Sequence, residues 1–148
     1  MPPANPWKSY RQIATQTAPP GQLVLMLFDG ALRSLDRALL GFNCADVGER
    51  NAAIHNNLQR AIDIIRELNS ALDLEAGGQL ADTLRNLYAY FERRLLDSNL
   101  KKSRKGIDDV IPMLKQLRDA WFKMLSGETL VTAPLAAANW PASQLIAA

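Results

Sequence analysis

The sequence predicts an all-α protein: an antiparallel four-helix bundle with a short additional helical segment at its N-terminus. Three observations lead there. Apolar residues recur at spacings of three and four in four separate segments. The breaks between those segments are short, which favours antiparallel neighbours. The one stretch that invites a strand, the six-residue apolar run Leu23–Phe28 ahead of Asp29-Gly30, continues into "ALRSLDRALL", where Leu32, Leu35 and Leu39 keep helical spacing rather than alternating.

The first helix is expected from about Pro19 to Leu40, with Thr17 as N-cap, prolines in its first turn and Gly41 at its end. The second, from about Asp46 to Leu72, aligns Ile54, Leu58, Ala61, Ile62, Ile65, Leu68 and Leu72. "EAGGQ" breaks it, since each helical glycine costs roughly 1 kcal/mol. A third helix carries Leu80, Leu84, Leu87, Tyr88, Phe91 and Leu95, and "KKSRKG" turns the chain again. The fourth carries Ile107, Val110, Ile111, Leu114, Leu117, Trp121 and Leu125, with Pro112 expected to kink or delay it. Residues 1–17 read as an N-terminal cap segment, 18–125 as the bundle and 126–148 as a flexible tail.

Composition narrows the function classes. A chain of 148 residues with 48% hydrophobic and 22% charged residues is an ordinary globular domain, and a net charge of +2 argues against a protein built to grip phosphates. Cys44 is the sole cysteine, so neither an internal disulfide nor a cysteine metal cluster is expected. The opening residues lack the apolar core of a signal peptide, and six residues fall far short of the roughly 20 that span a bilayer. A cytoplasmic protein without membrane insertion is expected.

Enzyme chemistry finds no support. His55 is the only histidine, and no Glu-x-x-His pair or phosphate-binding glycine loop is present. Asp108 and Asp109 are neighbours about 100° apart on a helix and suit its first turn better than a catalytic pair. No cofactor and no metal are expected. The cluster Arg93, Arg94, Lys101, Lys102, Arg104 and Lys105 has no interleaved aromatic and reads first as a solvated helix end, with nucleic acid as the rival reading. Asn69 and Asn99, on or near apolar arcs, are expected to make interhelical hydrogen bonds.

The first helix raises a sharper question. With Leu27 set at zero and about 100° per residue, Val24, Phe28, Ala31, Leu32, Leu35, Ala38 and Leu39 share one arc, and Asp29, Arg33, Asp36 and Arg37 lie opposite. Leu23 and Met26 fall between, on a flank with Gly30 and Ser34, which forms a shallow trough. Either packing within the bundle fills it, or a segment from outside the four helices lies there. "NPWKSYRQIATQT" is a candidate: Asn5 caps, Pro6 opens, and Trp7, Tyr10, Ile13 and Ala14 share a face. It reads as a removable cover or a permanent fifth helix. Ile64 lies off the stripe of the second helix beside Ala53 and Ala71, and Ala89, Leu96 and Leu100 form a second line on the third. Such back faces suit a groove for an amphipathic helix.

Together, "NPWKSY", "LVLMLFDGA", "ELNSALDLEAGGQLADTL", "NLYAYFERRL" and "LKQLRDAW" resemble the flagellar export chaperone family, the cytoplasmic chaperones of flagellin, over about Asn5 to Leu125. Trp7 stands where that family usually has another aromatic. The resemblance implies an antiparallel helical bundle that binds the C-terminal region of flagellin, prevents premature polymerisation and assists export through the flagellar type III apparatus. It also implies further partners at the export gate and among flagellar regulators, and an N-terminal segment, here Asn5 to Ile13, that covers part of the binding surface. The candidate partner-contacting residues are Trp7, Tyr10, Ile13, Leu23, Met26, Leu27, Gly30, Ile64, Leu96 and Leu100. A helical adaptor for another amphipathic partner of the same pathway is the alternative.

Overall fold

A computed structural model of the chain describes residues 20–127. Four helices follow one another: α1 (Pro20–Gly41), α2 (Val47–Ser70), α3 (Leu74–Lys101) and α4 (Lys105–Leu125). Helix α1 runs unbroken through Asp29-Gly30, as the spacing of its leucines requires. Asp46 and Asp73 start α2 and α3 by accepting hydrogen bonds from the Glu49 and Ala76 backbone N–H groups at 2.9 and 3.0 Å. Each satisfies a donor that the first turn leaves without a partner.

Contacts between helices fix their directions. On the α1–α2 side, Gly30 faces Ile64 and Gly41 faces Ala53. Arg66 reaches Glu92 and Asn99 meets His55 between α2 and α3. Arg94 reaches Asp109 and Ser98 meets Gly106 between α3 and α4, and Arg118 and Trp121 of α4 return to Asp29 and the Gly21 carbonyl of α1. Numbers rise along one helix as they fall along its neighbour in every case, so all four adjacent pairs are antiparallel. Each helix packs on its sequence neighbours and α4 closes against α1.

The core is the stripe of each helix turned inward: Phe28 and Leu35, Ile54, Leu58, Ile62 and Ile65, Leu84, Phe91 and Leu95, Ile107 and Leu114. Burying each such side chain contributes about 1.5–3 kcal/mol. Phe28 and Trp121 meet with ring centroids 6.5 Å apart, and the indole N–H donates to the Gly21 carbonyl at 2.9 Å, which ties the end of α4 to the start of α1.

The glycine break appears within α3. Gly78, at φ 55° and ψ −134°, breaks the helical path at "EAGGQ", although one turn of α3 has already formed before it. Glycine alone takes that conformation without strain. Pro112, expected to kink or delay the last helix, does not delay it: α4 already begins at Lys105 and continues through Pro112 to Leu125. The carbonyl that Pro112 leaves without its N–H belongs to Asp108, and both residues are exposed, so water can satisfy it.

Helix α3 ends with Lys102 in the left-handed region (φ 51°) and the Ser103 N–H bonded to the Ser98 carbonyl at 3.0 Å, a Schellman closure. Immediately beyond, Gly106 brings α4 so close to α3 that a Cβ would overlap the Arg94 carbonyl and the Ser98 hydroxyl. The bundle thus has two poles. One holds the α1–α2 loop and the α3–α4 turn, and the other holds the start of α1 and the end of α4.

Candidate functional site

The trough on α1 is closed where its small residues lie. Ile64 of α2 sits over Gly30, with its Cδ1 3.4 Å from where a Cβ would be, and Ala53 lies over Gly41. Ile64 is only 4% exposed and Ser34 is buried. The sequence reading put Ile64 on the outer back of its helix; the structure corrects this, because that line is the face α2 turns toward α1. Leu27 likewise belongs to the core rather than to an open surface. The small residues on one helix and the misplaced apolar ones on the next are each other's partners.

Leu23 and Met26 remain half-buried at the edge of this seam. They lie near the pole where residues 1–19 join α1. Trp7, Tyr10 and Ile13 lie outside the described residues.

The open apolar surface is on α3. Leu96 is 43% exposed and Leu100 85%, with half-buried Ala89 in line below them. Leu40 and Val47, toward the same pole, are also exposed, and Phe122 and Leu125 stand out near the other. The sequence reading did not single out Leu40, although its angle on α1 already placed it among the charged residues. Phe122 is covered on one side by the Arg118 guanidinium, 5.1 Å from the ring centroid. That guanidinium also donates to Asp29 at 2.8 Å, a bond that pushes its pKa further up against the opposing effect of burial.

The basic cluster at the end of α3 is largely spent on internal partners. Arg94 donates to Asp109 at 2.6 Å, which holds its guanidinium in the charged form, and Lys101 pairs with Asp97 at 3.2 Å. The Lys102 ammonium bonds the carbonyl and side-chain oxygen of Asn99, and Arg104 lies 3.9 Å from Asp108. Arg93 and Lys105 are exposed, and among the described residues neither has an ion-pair partner. Two lone cations are a poor footprint for a phosphate backbone.

Asn99 makes the expected interhelical bond, with its amide nitrogen 2.9 Å from His55 Nδ1. Asn69 does not: its Oδ1 is buried without a hydrogen-bond partner. Ser98 Oγ is in the same state beside Gly106. Among the described residues, no group of three or more His, Cys, Asp or Glu side chains could hold a metal ion, and no helix is long and apolar enough to cross a membrane.

Comparisons with known proteins place the chain in a family. The family described as Flagellar protein FliS matches residues 3–128 of the chain. The flagellar secretion chaperone FliS of Salmonella typhimurium is 40% identical over 119 residues, covering 77% of this chain and 85% of that protein. The FliS chaperone of Escherichia coli is 35% identical over 133 residues, 86% of this chain and 95% of its own length. That of Bacillus subtilis is 32% identical over 124 residues, covering 84% and 89%. The chain therefore belongs to the FliS family of flagellar secretion chaperones, which are not enzymes.

Proposed function

We propose that this protein is a cytoplasmic chaperone for flagellin: it binds the C-terminal region, holds it back from polymerising and assists its delivery to the flagellar type III export apparatus. One observation carries the reading. After the four helices have covered one another, including the Gly30–Ile64 contact, α3 still presents Leu96 and Leu100 to solvent in one line. Singly exposed leucines are ordinary, but a line along a rigid helix is a template for an amphipathic helix.

A flagellin segment whose apolar face awaits filament neighbours would find a substitute neighbour here. Ordering such a segment costs about 2–5 kcal/mol or more, so a broad apolar contact is needed to offset it. Leu23 and Met26, half-buried where residues 1–19 enter the bundle, extend the surface at the other pole. In this reading the segment Asn5–Ile13, through Trp7, Tyr10 and Ile13, covers that end and shifts when flagellin binds. Contacts with the export gate and with flagellar regulators belong to the same proposal.

The test is direct. The purified protein is mixed with monomeric flagellin of the same bacterium and then seeded with filament fragments. A discrete complex on size exclusion and arrested elongation are expected. Unimpeded elongation with no complex would refute the reading, and binding to another amphipathic flagellar protein instead would favour an adaptor role.

A further inference from the structure

Residues 82, 86, 89, 93, 96 and 100 of α3 follow one another at alternating steps of four and three. That is the repeat of a coiled-coil seam, and it places them in a single line along the helix. The line does not face the core: Asp82, Asn86, Arg93, Leu96 and Leu100 are exposed and Ala89 is half-buried. Its upper half, from Ala89 to Leu100, is apolar except for Arg93 and extends about 17 Å, the length of three helical turns.

Arg93 is the one charge within this apolar half. The charged residues around it are engaged: Glu92 with Arg66, Arg94 with Asp109, and Asp97 with Arg94 and Lys101. Arg93 alone in this group has no ion-pair partner among the described residues. A helix laid over Ala89 and Leu96 would strip water from the Arg93 side chain between them. Even if its long stem carries the guanidinium to the rim, the charge loses part of its hydration and gains nothing unless the visitor supplies a carboxylate.

We infer that the outer seam of α3 receives about three turns of a helix whose apolar face meets Ala89, Leu96 and Leu100, and that Arg93 selects an Asp or Glu on that helix. The inference rests on the reading that flagellin is the cargo, and it specifies the chemistry of the cargo helix: apolar residues at steps of three and four, with an acidic residue on the flank opposite Arg93. A planar guanidinium recognises a carboxylate through two parallel hydrogen bonds, so the contact sets register as well as attraction. A visitor with a lysine at that position would be rejected by like charge.

The experiment is calorimetry on the full chain with a peptide covering the C-terminal region of flagellin from the same bacterium, at low and high salt. All substituted residues are exposed, and circular dichroism melts confirm that each variant folds. Arg93→Glu is expected to weaken binding by at least about tenfold and Arg93→Gln by less, with a shallower salt dependence. A peptide with its acidic residue reversed to lysine should recover affinity for the Arg93→Glu variant. If the parent binds and Leu96→Glu weakens binding while Arg93→Glu does not, selection by charge is overturned. If the parent binds and neither substitution matters, the seam is overturned and the flagellin reading stands. If the parent binds no flagellin peptide, that reading fails and takes this inference with it.

Discussion

Gly106→Ala adds one methyl group at the tightest approach between α3 and α4. In an unobstructed helix alanine is favoured over glycine by about 1 kcal/mol. Here the new Cβ would overlap the Arg94 carbonyl and the Ser98 hydroxyl. The hydroxyl can rotate, but the carbonyl is backbone in mid-helix, so the start of α4 has to move outward. Overpacking typically costs about 1–3 kcal/mol, and a backbone obstacle points to the upper end. The net expectation is a loss of about 2 kcal/mol, which for a domain near 100 residues lowers the melting temperature by roughly 10 °C. Gly30→Ala is the matched control. Its Cβ would rest 3.4 Å from Ile64 Cδ1, the movable end of a side chain, so most of the propensity gain of up to about 1 kcal/mol should survive. Thermal melts and urea titrations of both variants measure the difference, and adding Ser98→Ala to Gly106→Ala should not rescue it. A Gly106→Ala protein as stable as the parent would refute the close approach of the two helices.

Ser98→Ala alone removes a buried hydroxyl that has no hydrogen-bond partner, so stability should stay level or rise by up to about 1 kcal/mol, read from urea midpoints; a clear loss would show that the hydroxyl does find a partner. Burial holds the Tyr88 phenol protonated far above its ordinary range. The folded chain therefore keeps a proton that the unfolded chain releases near pH 10, so this contribution to stability is complete below about pH 10 and declines above it. Tyr88→Phe should flatten the alkaline limb of stability against pH, and an unchanged limb would exclude Tyr88 as its source. Met26→Glu should weaken flagellin binding at least about tenfold while leaving the circular dichroism intact, because it charges the half-buried edge of α1; unchanged calorimetric affinity would remove Met26 from the binding surface.

The four helices were legible because each core stripe repeats at helical spacing over about four turns or more, and the glycine pair marked its own break. Where the reading failed, it treated one helix at a time. Ile64 lies off the main stripe of α2, but in a closed bundle each helix touches two neighbours and its buried arc widens toward both. The position of Ile64 became interpretable only when set against Gly30, a residue on another helix. Gly106 was hidden for a similar reason: "KKSRKG" reads as a turn, and nothing in it tells that the Arg94 backbone is close by. Pro112 does not delay its helix because the penalty depends on whether the freed carbonyl meets water, which is a property of the surface and not of the local sequence. Of the candidate site, the line of Ala89, Leu96 and Leu100 could be read because its period matches that of the core line while its angle does not. The lone charge of Arg93 could not, since it emerges only once the neighbouring charges are seen to be paired across helices.

The first and last described residues, Pro20 and Gly127, leave the bundle at one pole, while Leu100 lies toward the other. A helix of 22 residues such as α1 spans about 33 Å, so the separation is nearly the height of the molecule. Anything joined to the bundle directly at Pro20 or Gly127, whether an affinity handle, a fluorophore or a docking platform, would grip it by that foot. Leu100 would stand a full helix length away from such a junction.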